Sequence, residues 1–358
     1  MSRELIYVGM SGGVDSSVTA ALLKQAGHEV VGVFARGWEP ANEELARACT
    51  WREERREAMR VSAHLDIPLI TLDTSQEYKQ KVVDYMLAEY QAGRTPNPDI
   101  LCNQEIKFGV MLEAVLKAGA TKLATGHYAQ VEEETGQYIL KTSNDPEKDQ
   151  TYFLWTLTQS QLKNILFPVG GYTKEAVRKL ARKSKLPNAD KKDSQGLCFV
   201  GQVDVKDFLQ AELGKKSGRV LNKKGEVIGE HDGALFYTIG ERHGFTINNQ
   251  TPNQEPLYVI SKNIKANTIT VASAPSDKSK NTSSKIELEK VNWVSGVVPS
   301  QTNLTCRIRH RGDFLPCKLE VKDNKTTVIL ATSRSDIAPG QSLVLYDVTT
   351  CIGGGVIV

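Results

Sequence analysis

Residues 9 to 17 read Gly9-Met10-Ser11-Gly12-Gly13-Val14-Asp15-Ser16-Ser17. Adjacent glycines let the backbone approach an anion closely, and Ser11, Ser16 and Ser17 add hydroxyls. The apolar pattern that follows is helical, so free N–H groups and a positive dipole end face the same point. Such a segment is a phosphate cradle. It is not a Walker A loop, because no G-x-x-x-x-G-K-[ST] occurs and no lysine is available to reach a γ-phosphate. The plainer alternative is a Ser/Gly-rich turn that only caps a helix. Two cysteines stand in segments of another kind. Cys102 follows Thr95-Pro96-Asn97-Pro98-Asp99-Ile100-Leu101, where two prolines stiffen the turn and the thiol is expected at a helix start that favours thiolate. Asp99 is placed to act as its proton partner. Cys198 lies in Asp190-Lys191-Lys192-Asp193-Ser194-Gln195-Gly196-Leu197-Cys198, a polar loop with two lysines, expected to be electropositive and mobile. Taken alone, each thiol fits a small buried hydrophobe as well as a nucleophile. Cys49, Cys306, Cys317 and Cys351 fit the buried role better. There is no CxxC pair and no His/Cys group at zinc spacing, so neither a disulfide scaffold nor a metal site is indicated.

The elements around these residues follow from periodicity. Leu5–Val8 and Glu29–Phe34 read as buried strands, with Val14, Val18, Ala21 and Leu22 between them on one helical face and Gly27 ending that helix. A second helix near Glu54–Leu65 leads through Pro68 into the strand Leu69–Leu72. Tyr78, Val82, Tyr85 and Met86 mark a third helix, and a fourth near Asn103–Lys117 precedes the strand Lys122–Gly126. Alternating strands and helices predict an α/β, doubly wound parallel sheet with ligands at the carboxyl ends of its strands. After Tyr128 a hairpin is expected, then helices near Gln159–Leu166 and Lys174–Leu186. The expected units are 1–200, a mixed α+β domain over 201–272, a Ser/Lys/Asn-rich linker over 273–284 and a small all-β barrel or sandwich over 285–358. Barrel strands are expected at Thr305–Arg309, Cys317–Val321, Thr326–Leu330 and Ser342–Tyr346.

Charge adds a weaker signal. The net charge of +3 falls wholly within residues 276–358. Arg307, Arg309 and Arg311 alternate, so a strand would present all three on one face with His310 opposite. Such a stripe can hold phosphates, and it fits an exposed strand face as well. The Arg/Glu-rich helix Trp51–Met59 is read as a solvated, ion-paired face. No apolar run is long enough to cross a bilayer and no signal peptide is evident, so a cytoplasmic protein with no membrane partner is expected.

The loop at 9–17 resembles the SGGxDS pyrophosphate loop of enzymes that split ATP into AMP and pyrophosphate. Argininosuccinate synthetase, the amidotransferase partner of GMP synthesis, lysidine synthetase and thiolases share it, so the loop alone leaves the reaction open. The rest of the chain is more specific. Ala92–Gly109 (AGRTPNPDILCNQEIKFG), Ala124–Ala129 (ATGHYA), Lys148–Leu154 (KDQTYFL), Lys191–Gly201 (KKDSQGLCFVG), Gly229–Gly244 (GEHDGALFYTIGERHG) and the C-terminal CIGGGVIV resemble, in that order, the signatures of the tRNA 2-thiouridylases. The resemblance spans essentially the whole chain. It implies a PP-loop ATP pyrophosphatase domain, a small central domain and a C-terminal β-barrel. It further implies that Gly9, Met10, Ser11, Gly12, Gly13, Val14, Asp15, Ser16, Ala35 and Gly126 hold ATP with Mg2+, and that Asn97, Pro98 and Asp99 hold the target base. His127, Lys148, Asp149, Gln150, Arg309, His310 and Gln341 are implied to contact tRNA. No protein-bound transition metal is implied.

Exchanging a carbonyl oxygen for sulfur needs an activated oxygen, a sulfur nucleophile and release of sulfur from its carrier. AMP on the oxygen meets the first need, a cysteine persulfide the second and a resolving thiol the third. By resemblance Cys198 carries the persulfide and Cys102 resolves it, with Asp99 handling protons. The implied partners are tRNA, those for lysine, glutamate and glutamine, and a cysteine desulfurase or sulfur-relay protein as donor. Two departures stand out. Phe34-Ala35-Arg36-Gly37-Trp38-Glu39-Pro40 replaces the family's usual Met-Lys-Asn-Trp run, where adenine is contacted, and His310 replaces a tyrosine. The rival readings are an ATP-dependent amide or nitrogen ligase, which needs no cysteine pair, and an RNA-binding protein with a degenerate nucleotide site, against which the intact Ser11–Ser16 loop argues.

Overall fold

The computed structural model describes residues 3–40, 42–47, 49–192, 205–248, 255–273, 283–323 and 325–358. Strands β1 (Leu5–Gly9), β2 (Glu29–Arg36), β3 (Leu69–Asp73), β4 (Lys122–Ala124) and, after the hairpin β5 (Ala129–Glu134) and β6 (Gln137–Thr142), β7 (Ile165–Leu166) build the first domain. Its sheet is parallel with order β3-β2-β1-β4-β7. Both faces are covered, which is why its strands are apolar runs rather than alternating ones. Val30 and Phe34 of β2 join Ile6 and Val8 in a core with the helices Val14–Gln25, Trp51–His64 and Lys174–Lys183. Val33 and Ala35 join a second core with Phe108, Met111 and Leu123. The doubly wound expectation therefore holds.

The last strand of this sheet differs from the sequence reading. The helix expected over Gln159–Leu166 stops at Leu162, and Ile165–Leu166 becomes the fifth parallel strand, with Thr125 N donating to Leu166 O at 3.1 Å. A strand of 2 residues is too short to show a period.

The central domain contains the helix Val205–Leu213 and strands β8 (Gly218–Leu221), β9 (Val227–His231), β10 (Phe245–Ile247), β11 (Leu257–Asn263) and β12 (Thr268–Ser273), ordered β10-β9-β8-β12-β11. Its core is shared with the first domain: Phe208, Val220 and Phe236 cluster with Tyr78, Met86, Cys102 and Ile106.

Six strands, β13 (Ser283–Trp293), β14 (Asn303–Arg307), β15 (Leu315–Lys322), β16 (Lys325–Arg334), β17 (Ser342–Asp347) and β18 (Thr350–Ile357), form the C-terminal barrel, closed by pairing of β13 with β18. The β5–β6 hairpin extends this sheet through the Lys141–Thr350 pair, so a segment of the first domain is built into the third. Among the described residues each of these six strands pairs on both sides, so the barrel presents no free edge.

Candidate active site

The phosphate-cradle segment lies between β1 and the helix Val14–Gln25, at the carboxyl edge of the parallel sheet. Gly13 is the N-cap, and among the described residues no side chain caps this helix, so its first N–H groups point at the space in front of the loop. Internal bonds fix the turn. Ser11 N donates to Ser16 Oγ at 3.2 Å, and Ser17 Oγ donates to Gly13 O at 2.8 Å. Gly12 has φ +73, and a Cβ there would sit 2.3 Å from Glu54 O, so only glycine allows helix Trp51–His64 to pack on the loop. At Gly126, after β4, a Cβ would sit 2.6 Å from Ser16 N, within the ground an anion on that N–H would need. The bare backbone at both glycines, with the uncapped helix end, fits a pyrophosphate group. Among the described residues no group of three or more His, Cys, Asp or Glu could hold a metal ion.

Among the described residues, three that sequence reading missed hold this loop, beside Lys191, whose Nζ donates to Gly12 O at 3.2 Å. Lys174 Nζ donates to both carboxylate oxygens of Asp15 at 2.8 Å, and Tyr128 OH donates to Asp15 Oδ1 at 2.9 Å. Asn188 Nδ2 donates to Gly12 O at 3.1 Å and to Ser17 Oγ at 3.0 Å. The sequence shows Lys174 only as the residue after Thr173, a helix N-cap whose side chain accepts from Ala176 N. No local pattern ties that helix to the loop.

The unusual Phe34–Pro40 segment forms its own web. Phe34 and Ala35 are buried, Arg36 pairs with Asp73 at 3.0 Å and lies over the Trp51 ring, and Glu39 binds Arg52 and Trp51 Nε1. The Arg/Glu-rich helix Trp51–His64 is thus engaged with this segment as well as with solvent. Trp38 packs edge-on against Phe208 of the central domain, 5.8 Å between ring centroids.

Asn97, not Cys102, occupies the helix start in the second segment. Its side chain accepts from Asp99 N at 3.2 Å and from Ile100 N at 3.3 Å, capping the helix Pro98–Leu101. Cys102 follows at the C-terminal end of that turn, where the helix widens into a π-helical stretch over Cys102–Met111. The expectation of a thiolate-favouring helix N-terminus at Cys102 is therefore corrected: proline at N1 starts the helix one turn earlier. The thiol is fully buried in the apolar core shared with the central domain. Ile100 belongs to one apolar cluster with Val33 and Ala35 of β2. Asn97, Pro98 and Asp99 are half-buried. Cys198 lies outside the described residues.

The remaining expected contacts fall at the seam between the first domain and the barrel. Gln341 Nε2 donates to Thr95 O at 2.8 Å, while Thr95 N donates to Pro339 O at 2.9 Å, so the barrel holds the start of the Asn97–Cys102 segment. Gln150 accepts from Tyr128 N at 2.9 Å, and Lys148 is half-buried. Asp149 is buried and paired with Arg307 at 2.9 Å. Thr151 Oγ1 donates to the same carboxylate, whose pKa burial pushes upward against the Thr151 and Ser143 hydrogen bonds and the Arg307 charge.

The three-arginine stripe does not form. Strand β14 stops at Arg307, Arg311 takes φ +57, and Gly312 N closes a turn on Arg309 O at 3.1 Å. Arg307 turns inward over Phe314, whereas the Arg309 side chain stays 62% exposed. His310 lies 4.4 Å from the Phe153 ring, and burial, helped by Arg311 and Arg307, lowers its pKa to about 4. His127 is buried between Phe108 and Phe167, with Nδ1 at 2.7 Å from Thr125 Oγ1. Burial and then Lys107 hold its pKa well below the usual range, so it is neutral.

Comparison with known proteins gives this architecture a family. The description "tRNA methyl transferase HUP domain" matches residues 4–202, "tRNA methyl transferase PRC-barrel domain" residues 206–273 and "Aminomethyltransferase beta-barrel domain" residues 283–357. The tRNA-specific 2-thiouridylase MnmA of Nitrosomonas eutropha is 41% identical over 360 residues, covering 100% of this chain and 99% of its own. The protein of the same name in Nitrosomonas europaea is 42% identical over 361 residues, with 100% and 99% covered. That of Enterococcus faecalis is 40% identical over 360 residues, with 99% and 96% covered. A HUP-type parallel sheet, a PRC-barrel-like centre and a closed six-strand barrel, matched end to end with these relatives, place the chain in the tRNA-specific 2-thiouridylase family of tRNA-thiolating enzymes.

Proposed function

We propose that the chain uses ATP to adenylate O2 of the anticodon wobble uridine and replaces that oxygen with sulfur held as a persulfide on Cys198. The adenylyl group passes to O2 and pyrophosphate leaves. The terminal persulfide sulfur then attacks C2, and AMP departs with the former O2. Cys102 thiolate attacks the sulfur of Cys198, freeing 2-thiouridine in the tRNA and leaving a Cys102–Cys198 disulfide, which an external dithiol reduces. Asp99 manages protons beside the base held by Asn97–Asp99. Sulfur arrives from a cysteine desulfurase or relay protein, and Mg2+ accompanies ATP. The tRNA lies across the first domain and the barrel, against Lys148 and the exposed Arg309.

The observation that carries this reading is the uncapped helix end behind Gly12-Gly13, faced by the bare backbone of Gly126. It offers N–H donors to a pyrophosphate group, and Ile100 of the Asn97–Cys102 turn shares an apolar cluster with the neighbouring strand β2. The test is stoichiometry: enzyme preloaded with persulfide, ATP and unmodified tRNA should yield AMP and 2-thiouridine in a one-to-one ratio, read by nucleotide chromatography and nucleoside mass spectrometry. Thiolation without AMP release would rule the adenylation step out.

A further inference from the structure

The cradle contains one Gly–Gly peptide, between Gly12 and Gly13. Glycine takes either sign of φ at little cost, and Gly12 sits at φ +73, so no Cβ on either side stops this peptide from turning over. A trans peptide is planar, and its C=O and N–H point in opposite directions. Which of the two faces an anion decides whether the loop attracts or repels it. The carbonyl side is held. Asn188 Nδ2 donates to Gly12 O at 3.1 Å and Lys191 Nζ donates to it at 3.2 Å, and Asn188 is only 4% exposed, so this is the buried side of the peptide. The N–H faces the other way, where Gly13 N donates to the hydroxyl of the exposed Ser11 at 3.3 Å, a long bond. Asn188 is itself fixed. Its Nδ2 also donates to Ser17 Oγ at 3.0 Å, Lys191 N closes a turn on Asn188 O at 3.0 Å, and Arg178 Nη1 donates to Ala189 O at 3.3 Å and to Lys191 O at 3.1 Å.

We propose that Asn188 is a positioning residue for the pyrophosphate half of ATP: by holding Gly12 O, with Lys191 as a second donor, it keeps the Gly13 N–H turned outward, where a phosphate oxygen takes it over from Ser11. The proposal rests on the reading that Gly9–Ser16 binds ATP, and it deepens that reading by naming what sets the direction of one of the loop's donors. A carbonyl oxygen only accepts, so the Asn188 atom that faces Gly12 O is the amide nitrogen. Were the peptide to turn over, Gly12 O would meet the anion and the buried Asn188 amide would lose one of its two partners, a cost on both sides of the peptide. A hydrogen bond to an anionic oxygen is shorter and about twice as strong as one to a neutral hydroxyl, so exchanging Ser11 for phosphate is favourable. Asn188 acts through the Gly12–Gly13 peptide, from the side away from the anion.

Calorimetry with inorganic pyrophosphate and with AMP, each with Mg2+, combined with NMR, separates this from a general structural role. In protein carrying 13C-carbonyl and 15N glycine, amide signals selected through the preceding carbonyl come only from Gly13, Gly171, Gly354 and Gly355. Pyrophosphate should shift the Gly13 signal of the wild type, identified by its absence in Gly13→Ala. Asn188→Leu, similar in volume but without a donor, should weaken pyrophosphate binding at least about 10-fold, leave AMP within about 2-fold of wild type and displace the Gly13 signal before any ligand is added. Asn188→Asp, of the same shape and likewise without a donor, repeats the test should circular dichroism show that the leucine variant does not fold. Equal pyrophosphate affinity in wild type and variant would overturn the proposal, as would a parallel loss of both probes, which marks Asn188 as a strut for the whole site, or a wild-type Gly13 signal that saturating pyrophosphate leaves in place. Failure of the wild-type enzyme to bind either probe would instead remove the underlying ATP reading, and the proposal with it.

Discussion

At the scale of single residues, Cys102 carries the sharpest consequence. Its thiol is enclosed in a core with Tyr78, Phe208 and Phe236, so under the proposed reaction the attack on Cys198 follows a movement of the central-domain side of that core. Iodoacetamide labelling, followed by peptide mapping, should therefore find Cys102 slow to react in the enzyme alone and about 10-fold or more faster with unmodified tRNA and ATP present. Equal rates would mean that substrate does not open the thiol. His310 offers a pH readout. Its ring is neutral in the folded protein down to about pH 4, whereas an unfolded histidine takes a proton near 6.5. The folded pKa is depressed, so the contribution is full above about 6.5 and is lost as pH falls from there toward 4. His310→Phe, which keeps a ring against Phe153, should flatten the fall in Tm between pH 7 and 4.5. An unchanged slope would assign that fall to other groups, His127 and His231 among them, whose pKa values burial also lowers.

Among elements, the buried Arg307–Asp149 pair fastens β14 to the turn that bears Lys148 and Gln150. Removing one partner strands a buried charge, so Arg307→Met should cost about 3–5 kcal/mol, and the double change Arg307→Met with Asp149→Leu should cost distinctly less. Thermal or urea unfolding of the two variants decides it, and a double variant as unstable as the single one would count against the pair. This pair also marks where the sequence stops being legible. The parallel sheet, the glycine turn between β1 and the first helix and the all-β character of the C-terminal unit could be read ahead because their signals are local: apolar runs, a strand-glycine-helix order, alternation. The arginine stripe could not, because its alternation continues through a turn at Arg311, and because the partner of Arg307 lies in another domain. Lys174 was out of reach for the same reason, its contact with Asp15 spanning two helices that meet only in the folded core. At Cys102 a strong local rule was misapplied by one turn: Pro98 at N1 and Asn97 as cap set the helix start earlier.

For the molecule as a whole, the apolar cores crossing both seams make the three domains one working unit, with the barrel's Pro339–Gln341 holding the segment that leads to Cys102. If tRNA spans the first domain and the barrel, Arg309→Ala should weaken binding and reduce the slope of log K against log salt by about one unit, since one phosphate contact releases roughly one counterion. An unchanged slope would leave Arg309 an ordinary exposed side chain. The central claim is that sulfur reaches the uridine through Cys198 and is released by Cys102. The direct measurement is a single turnover with 35S-labelled persulfide donor, ATP and unmodified tRNA, using wild type, Cys198→Ser and Cys102→Ser, with label followed on enzyme and tRNA and disulfides mapped without reductant. The account predicts a Cys102–Cys198 disulfide in wild type, no label on the 191–201 peptide of Cys198→Ser, and label held on Cys198 without released 2-thiouridine in Cys102→Ser. Normal 2-thiouridine formation by both serine variants would contradict it.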